Sequence, residues 1–296
     1  MKIKELNSVM NGTEVVLRVV LSKKEVKPKN GGGTFVNISL TDSTGNITFP
    51  IFENVYNIMQ DYEVGVPYEV SGIVNHYNGC PQLKKTTFKI ITEYNKDEFI
   101  DSYIIKDKYL NEFMAMIDKL SEPWKTLSYE ALDLNTNKNM FNKFMECPSA
   151  KTFHGNKLGG LFYHTYGVMK NIENIINTYS DLDMYGDVNK VINKDRLMFK
   201  ALIHDIEKTD EYIYDTYINR KDNVIGHIID GVVFVCELNK RCNNILSDEE
   251  LEDIKYSLLS HHGAFGPYEP KTIEDLLLNL ADNIDAQIVK EIEQNN

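Results

Sequence analysis

The stretch "KALIHDIEKTD", residues 200–210, places His204 and Asp205 side by side in an apolar helical run, with Lys208 one turn later. A buried His-Asp pair costs free energy unless another group compensates it, and a metal ion is one such group. The stretch therefore predicts a metal site in a helical domain, provided that further ligands lie elsewhere in the chain.

The composition is that of an ordinary soluble protein, and 296 residues are enough for two domains. No apolar run reaches the roughly 18 residues that indicate a membrane span, and the first ten residues have no signal-peptide core. The four cysteines form no CxxC pair, so neither a zinc ribbon nor a disulfide framework is indicated. We expect a cytoplasmic protein with no membrane partner.

The net charge of −12 argues against simple nucleic-acid binding until it is divided along the chain. Residues 1–95 carry ten Lys and Arg against nine Asp and Glu, whereas residues 96–296 carry 22 against 35. Acidic groups can collect around a metal, but most of these should lie on solvated helix faces. The division indicates two domains with different roles.

Residues 1–95 are predicted to form five strands separated by Gly, Asn and Pro signals. The candidates are TEVVLRVVLSKKEV, TFVNISLTD, NITFPIF, VPYEVSGIVNHY and QLKKTTFKII, with a helical segment, ENVYNIMQDY, after the third. Five strands with a helix between the third and fourth are the arrangement of an OB-fold β-barrel, which commonly binds oligonucleotides.

Basic and aromatic side chains of the barrel are candidate nucleic-acid contacts, because cations follow a phosphate backbone and exposed rings stack on bases. They are Lys23, Lys24, Lys27, Lys29, Phe35, Phe49, Phe52, Tyr77, Lys84 and Lys85. The alternative is that the rings fill the barrel and the lysines keep it soluble. We predict nucleic-acid binding for the domain as a whole, more firmly than for any single residue.

From about residue 97 the apolar period changes to about 3.6, which predicts helices. We expect a helical connector over 96–150 and an all-α domain, without strand pairs, over 151–296. Ser247 and Glu250 are spaced as a capping box. The main helices are predicted at 137–146, 160–179, 195–208, 226–241, 248–260 and 272–293.

Most of the seven histidines fall at the ends or in the interiors of these apolar helices. Together with two aspartates they give the candidate metal ligands His164, His204, Asp205, His227, His261, His262 and Asp282. Alone, each would more often be a core histidine or a surface carboxylate, but the joint order favours a metal. Histidine and carboxylate ligands suit Mn, Fe, Co or Mg.

The order of these residues resembles the HD superfamily of metal-dependent phosphohydrolases. The match is closer to the YhaM-type 3′-to-5′ exoribonucleases, because PSAKTFHGNKLGGLFYHT, LIHDIEKTDEY, GHIIDG, LSHHGAFGPYEPKT and LADNIDA are all similar to motifs of that family. Those proteins are also similar in layout, with an OB-fold, a helical connector and an HD domain. The resemblance implies removal of nucleotides from the 3′ ends of RNA, and of single-stranded DNA as a second substrate.

The resemblance also implies a division of roles. His164, His204, Asp205 and Asp282 would hold one divalent metal, with Mn the first choice and Mg, Co or Fe as alternatives. Asp205 would bridge to a second metal held by His227 and His261. His262 would be a further ligand or a phosphate contact. Lys208 would neutralise the scissile phosphate, which makes Asp205 and Lys208 the catalytic candidates.

One position departs from the family pattern, which usually reads HD-x-G-K. Here Glu207 stands in place of the glycine. It removes no ligand, but it adds a charge and a side chain close to the expected phosphate position. Further upstream, His154 and Lys157 either contact substrate or shape the loop before the first ligand helix.

Three functions of different classes follow. The first is a metal-dependent 3′-to-5′ exoribonuclease whose barrel guides single-stranded RNA, or single-stranded DNA. The second is an HD phosphohydrolase of small nucleotides, such as a cyclic dinucleotide or a nucleoside triphosphate, although such an enzyme has no obvious need for the barrel. The third is a catalytically silent nucleic-acid-binding protein, which Glu207 favours and the complete ligand set opposes. Apolar helix faces are also compatible with a homo-oligomer.

Overall fold

The computed structural model describes residues 1–151, 155–182, 184, 186–222 and 224–295. The chain forms two compact units. The first comprises Met1–Ser102 and Tyr214–Ile218, and the second comprises Tyr103–Ile213 and Asn219–Asn296. The domain boundaries expected at residues 95 and 150 stay predictions.

The first unit is built on one five-stranded antiparallel sheet with the strand order β3-β2-β1-β4-β5. Its outer strands, β3 and β5, also contact each other, so the sheet closes on itself. Helix α1 lies between β3 and β4 in the chain, and the predicted OB-fold is confirmed. The elements are β1 (Glu14–Pro28), β2 (Thr34–Asp42), β3 (Gly45–Ile51), α1 (Val55–Asp61), β4 (Pro67–Tyr77) and β5 (Cys80–Ile90).

Alternating apolar residues fill the barrel. In β1, Val15, Leu17 and Val19 are buried while their neighbours Val16 and Arg18 are exposed, which is the period of two that a half-buried strand requires. Matching residues of the other strands complete one core. It includes Ile38, Leu40, Phe49, Tyr68 and Val70.

The second unit is helical, and the predicted all-α character is confirmed for it. Its central helix, α5, packs against α4, α6 and α10, and α8 packs against α9. The helices are α2 (Asp107–Asp118), α3 (Trp124–Ala131), α4 (Asn139–Glu146), α5 (Gly160–Ser180), α6 (Lys194–Ile203), α7 (Lys208–Glu211), α8 (His227–Arg241), α9 (Asp248–Ser260) and α10 (Ile273–Gln294). No helix of the described residues is long and apolar enough to cross a membrane.

Two local predictions for this unit are wrong. The helix expected over 195–208 ends at Ile203, and the backbone then makes tight turns, with hydrogen bonds from Ile206 N to Ile203 O and from Lys208 N to Asp205 O. A two-stranded ladder also forms between β6 (Tyr212–Ile213) and β7 (Asn219–Arg220). Strands of two residues are too short to produce an alternating pattern in the sequence.

The predicted capping box at the start of α9 is present. Ser247 Oγ accepts a hydrogen bond from Glu250 N at 3.2 Å, and Glu250 Oε2 accepts one from Ser247 N at 3.0 Å. Each interaction satisfies a backbone donor that a helix terminus leaves without a partner. The cap fixes the start of the helix whose other end carries two histidines.

A buried ion network joins α6, α9 and α10. Lys200, fully buried on α6, places Nζ 2.9 Å from Glu274 Oε2 and 2.7 Å from Asp253 Oδ2. Arg196 adds two bonds to the Glu274 carboxylate, at 2.9 and 2.7 Å. The three helices lead to or carry candidate metal ligands, so the network constrains the elements on which those ligands lie.

Removing the central carboxylate should destabilise the fold. In Glu274→Ala, Lys200 and Arg196 would keep only Asp253 as a shared partner, and breaking a buried ion pair by removing one partner typically costs about 3–5 kcal/mol. We expect a loss of that size in the free energy of unfolding, measured by urea titration. Glu252→Ala is the matched control, because its ion pair with Lys255 is exposed and should contribute less than about 1 kcal/mol. Equal losses in the two variants would contradict the network's role.

The same carboxylate predicts a pH dependence. Burial raises the pKa of Glu274, but Arg196, Lys200 and the backbone of Asn193 outweigh it and hold the pKa below its ordinary value of 4.5. A depressed pKa in the folded state stabilises the protein above the unfolded-state pKa, and the contribution is lost as pH falls through the folded-state pKa. The stability of the wild type should therefore fall more steeply below about pH 4.5 than that of Glu274→Gln. Parallel curves would contradict this.

Candidate metal centre

Six of the seven candidate metal ligands lie at or near the ends of helices, and Asp282 lies in the interior of one. His164 lies in the second turn of α5, His204 and Asp205 follow the last residue of α6, and His227 is the first residue of α8. His261 and His262 follow the last residue of α9, and Asp282 lies inside α10. Helix ends allow side chains from sequence-distant segments to converge, because the chain can turn away immediately beyond each ligand.

The structure brings all seven predicted ligands together in two groups. The His164 group consists of His164, His204 and Asp282, and the His261 group consists of Asp205, His227, His261 and His262. Within each group, one nitrogen or oxygen from every residue lies within 4.8 Å of the others. Asp205 belongs to the second group and was predicted to serve both; the division of roles stays a prediction.

Asp205 lies between the two groups. Its Oδ2 is 3.4 Å from Nε2 of His164 and 3.4 Å from Nε2 of His204. Its Oδ1 is 3.3 Å from Nε2 of His227 and 3.7 Å from Nε2 of His261. One carboxylate therefore directs a different oxygen at each group, which is the arrangement that a bridging ligand requires.

Four histidines present the same nitrogen to the centre. Their Nδ1 atoms bond outward: His204 to Ala201 O at 2.7 Å, and His261 to Leu258 O at 2.7 Å. A carbonyl oxygen only accepts, so Nδ1 carries the proton in these rings. His164 and His227 bond in the same way to Asp285 and Glu211. Each Nε2 lone pair is then available to a metal when the ring is neutral.

Buried polar atoms without a hydrogen-bond partner indicate whether the centre fits a metal ion. Asp205 Oδ1, His227 Nε2 and His261 Nε2 are buried and have no hydrogen-bond partner. Leaving buried polar atoms without a partner is costly, and native proteins rarely do so without a ligand or a functional reason. The three atoms belong to one group and are all metal-donor types, so the residues present fit a divalent metal ion.

The histidines of the centre differ in the direction of their pKa shifts. Burial lowers the pKa of His164, but its bonds to Asp205, Asp282 and Asp285 outweigh burial and hold the pKa well above the ordinary value. Burial lowers the pKa of His261, and lowers that of His262 to about 3, where the neighbouring His261 adds to the effect. Burial therefore favours neutral rings at His261 and His262, whereas the carboxylates around His164 favour its charged form.

Lys208 is the buried cation of the centre. Its Nζ donates a hydrogen bond to Asp205 Oδ2 at 2.6 Å. Burial lowers its pKa, but Asp205 and other anionic groups outweigh burial and raise it, so the ammonium form persists. Burial raises the pKa of Asp205, whereas Lys208, His204 and His164 hold it well below its ordinary value. The tight turn after α6 brings the pair together.

Glu207, the departure from the family pattern, precedes α7 and is half-buried. Burial and the nearby Asp210 and Asp230 raise its pKa to about 7. Within the described part of the chain, no hydrogen bond or ion pair holds its carboxylate. The residue therefore leaves the ligand set intact. His154, upstream of α5, lies outside the described residues, and Lys157 places Nζ 5.3 Å from the ring centre of Tyr103.

The barrel residues predicted to contact nucleic acid have different surroundings. Phe49 is only 1% exposed and belongs to the barrel core, so the prediction that it stacks on a base is wrong, because an alternating strand directs it inward. Lys24 donates hydrogen bonds to Met59 O, at 2.8 Å, and to Tyr62 O. It therefore satisfies carbonyl groups at the end of α1.

Aromatic and basic residues that are exposed or half-buried lie near the β1–β2 loop. Phe35 and Phe52 have ring centres 5.3 Å apart, and Lys29 Nζ lies 5.4 Å from the centre of Phe52. Phe52 and the α1 residue Tyr56 are strongly exposed, and Tyr56 was not among the predicted contacts. The sequence did carry a signal for Tyr56, because this residue follows Phe52 by four positions, the spacing at which side chains share one face of a helix.

The other five predicted contacts also lie on the barrel surface: Lys23, Lys27, Tyr77, Lys84 and Lys85. Tyr77 is 63% exposed at the end of β4. Lys84 bonds to Asn75 Oδ1 at 2.9 Å across the β4–β5 pair, and Lys27 lies 3.6 Å from Glu25. Their contact with nucleic acid stays a prediction.

Comparison with known proteins gives one family match within the chain and relatives along most of it. Residues 161–287 match the model of the HD domain. The 3′-5′ exoribonuclease YhaM of Bacillus pumilus (strain SAFR-032) is 25% identical over 288 residues, which cover 94% of this chain and 86% of the relative. The protein of the same name from Bacillus subtilis (strain 168) is 27% identical over 285 residues, covering 93% and 86%.

The matched segment and the metal centre coincide. Residues 161–287 include all seven candidate ligands and both outward carboxylates, Glu211 and Asp285. The relatives cover the barrel as well, since their alignments span nearly the whole chain. Residues 161–287 are therefore an HD domain, and the chain as a whole is similar to the YhaM-type 3′-to-5′ exoribonucleases, as its motifs predicted.

Proposed function

We propose that this chain is a metal-dependent 3′-to-5′ exoribonuclease that hydrolyses phosphodiester bonds of single-stranded RNA, with single-stranded DNA as a second substrate. The observation that carries the proposal is Asp205, whose two oxygens face separate groups of metal-donor atoms in an HD domain. The names of the relatives support the reaction type. Manganese is the first candidate for the metal, and Mg, Co or Fe also suit the donor set.

The residues of the centre would have different roles in hydrolysis. His164, His204 and Asp282 would hold one metal ion, His227 and His261 the other, and Asp205 both. Bound divalent metals supply an activated water and stabilise the charge that develops on phosphoryl oxygens. Lys208 holds a permanent positive charge beside Asp205, where it can donate to a phosphate oxygen. His262 lies next to His261, with ring centres 4.1 Å apart, and can contribute a neutral ring nitrogen.

The alternatives have less support. A phosphohydrolase of small nucleotides would use the same centre, but such an enzyme has no need for an oligonucleotide-binding OB-fold. A catalytically silent binding protein is opposed by the complete ligand set and by the unsatisfied atoms of Asp205, His227 and His261. Cytoplasmic location and self-association stay predictions. For self-association, the support is a row of half-exposed apolar residues along α10: Leu276, Leu280, Ile284, Ile288 and Ile292.

Removing the bridging carboxylate should abolish hydrolysis. We expect 5′-labelled single-stranded RNA to shorten from its 3′ end with wild type and Mn²⁺, and to remain intact with chelator. Asp205→Ala and the isosteric Asp205→Asn should each reduce the rate by more than about 100-fold, since loss of even an outer-sphere partner costs about 10–100-fold. The measurement is a time course on a denaturing gel.

Asp181→Ala is the matched control, because Asp181 is an exposed carboxylate after the end of α5. Thermal unfolding of each variant tests whether the fold survives. Wild-type rates in both folded Asp205 variants would contradict the site. Intact RNA with wild type and metal would instead direct the search to cyclic dinucleotides and nucleoside triphosphates.

An exposed aromatic of the barrel should contribute to strand binding. Base–aromatic stacking contributes about 1–3 kcal/mol per base, so Phe52→Ala should weaken binding of a fluorescent single-stranded RNA by that amount. Anisotropy in EDTA measures affinity without cleavage. Phe52→Leu keeps apolar contact with Phe35 but removes the π-face, and should weaken binding nearly as much. Unchanged affinity in both variants would remove Phe52 from the binding surface.

A further inference from the structure

Two carboxylates lie directly behind metal-ligand histidines. Asp285 Oδ2 is 2.7 Å from Nδ1 of His164, and Glu211 Oε2 is 2.5 Å from Nδ1 of His227. Both side chains are nearly buried, at 12% and 6% exposure. Because an ionised carboxylate only accepts hydrogen bonds, each keeps the ring proton on Nδ1 and leaves Nε2 for a metal.

The two carboxylates are divided between the two groups of ligands. His164 belongs to the first group and His227 to the second. The other two inward histidines, His204 and His261, are oriented by backbone carbonyls instead. Each group therefore has one histidine whose charge and orientation depend on a side chain that substitution can change.

Glu211 is itself held in place from two directions. Its Oε1 lies 2.7 Å from Nε of Arg220 on β7. Its Oε2 also accepts the backbone N–H of His227 at 3.0 Å. The carboxylate thus fixes both the ring and the backbone N–H of His227, the first residue of α8.

Asp285 reaches His164 only because the intervening position is glycine. Gly167 lies three residues after His164 on α5, and a Cβ built on it would lie 2.0 Å from Asp285 Oδ1. No real Cβ tolerates that distance, so alanine would force the Asp285 carboxylate away from His164. Helix propensity alone would favour alanine at this interior position, so the absence of a side chain has another physical use.

We propose that Asp285 and Glu211 are positioning residues for different metal ions, Asp285 for the ion of the His164 group and Glu211 for the ion of the His261 group. Gly167 provides the space that lets Asp285 reach His164. The inference rests on the proposed two-metal centre but not on the choice of substrate. Outer-sphere partners of this kind typically change metal affinity by about 10–100-fold when they are replaced.

The test is calorimetric titration of Mn²⁺ into the metal-free full-length chain. Asp285→Asn should weaken one of two binding steps by about 10–100-fold and leave the other unchanged, whereas Glu211→Gln should do the reverse. An amide can present its NH₂ group to Nδ1, which would shift the ring proton to Nε2 and block the metal. Gly167→Ala should reproduce the effect of Asp285→Asn.

A second set of variants, made in the Asp282→Ala protein, assigns each metal-binding step to one group of ligands. In Asp282→Ala, which loses a ligand of the His164 group, Asp285→Asn should add nothing further, while Glu211→Gln should still weaken the remaining step. Should Asp282→Ala not fold, the double variant Asp285→Asn/Glu211→Gln should instead weaken both steps. Glu291→Gln, an exposed carboxylate on the same helix as Asp285, is the matched control and should bind as wild type.

The outcomes separate this inference from the proposed function. Affinities equal to those of Glu291→Gln in every variant, or a uniform weakening of both steps by each single variant, would overturn the positioning roles. A wild type that binds no Mn²⁺ would overturn the metal centre and these roles with it. Two selective shifts in a protein that leaves RNA intact would support the positioning roles and move the proposed substrate to small nucleotides.

Discussion

The arrangement of the helical unit depends on one buried carboxylate, that of Asp205. Burial alone would favour its neutral form, but Lys208 at 2.6 Å and the surrounding histidines keep it ionised. Its two oxygens then face separate groups of donor atoms. A charge of this kind is tolerated in a protein interior only when its partners converge from several directions, and here they come from the ends of different helices.

Convergence of that kind requires the helices themselves to be fixed. The ion network of Lys200, Arg196, Glu274 and Asp253 links α6, α9 and α10, and the capping box of Ser247 fixes the start of α9. On the other side, Gly167 allows α5 and α10 to approach closely enough for Asp285 to reach His164. Interactions outside the centre thus determine where its ligands point.

Much of the fold and of the ligand set could be predicted because both leave periodic or chemically unusual patterns. Alternation in β1 and the helix after β3 predicted the OB-fold, and five histidines and two aspartates in apolar helical segments predicted the seven candidate ligands that the structure brings together. The failures have local causes. Phe49 and the exposed Phe52 have the same side chain, but Phe49 points inward from β3 whereas Phe52 lies just beyond the end of that strand. The end of α6 at Ile203 depends on turns that no breaker residue marks.

The sequence by itself determined the main strands and helices, their order and the candidate metal-donor residues, because periodicity and residue chemistry are local properties. The tertiary structure alone decided which oxygen of Asp205 faces which histidines, and that Asp285 and Glu211 lie behind His164 and His227. It also decided that Lys24 caps α1 and that Gly167 leaves room for a carboxylate. These are contacts between residues far apart in the chain, and a linear pattern does not encode the distance between them.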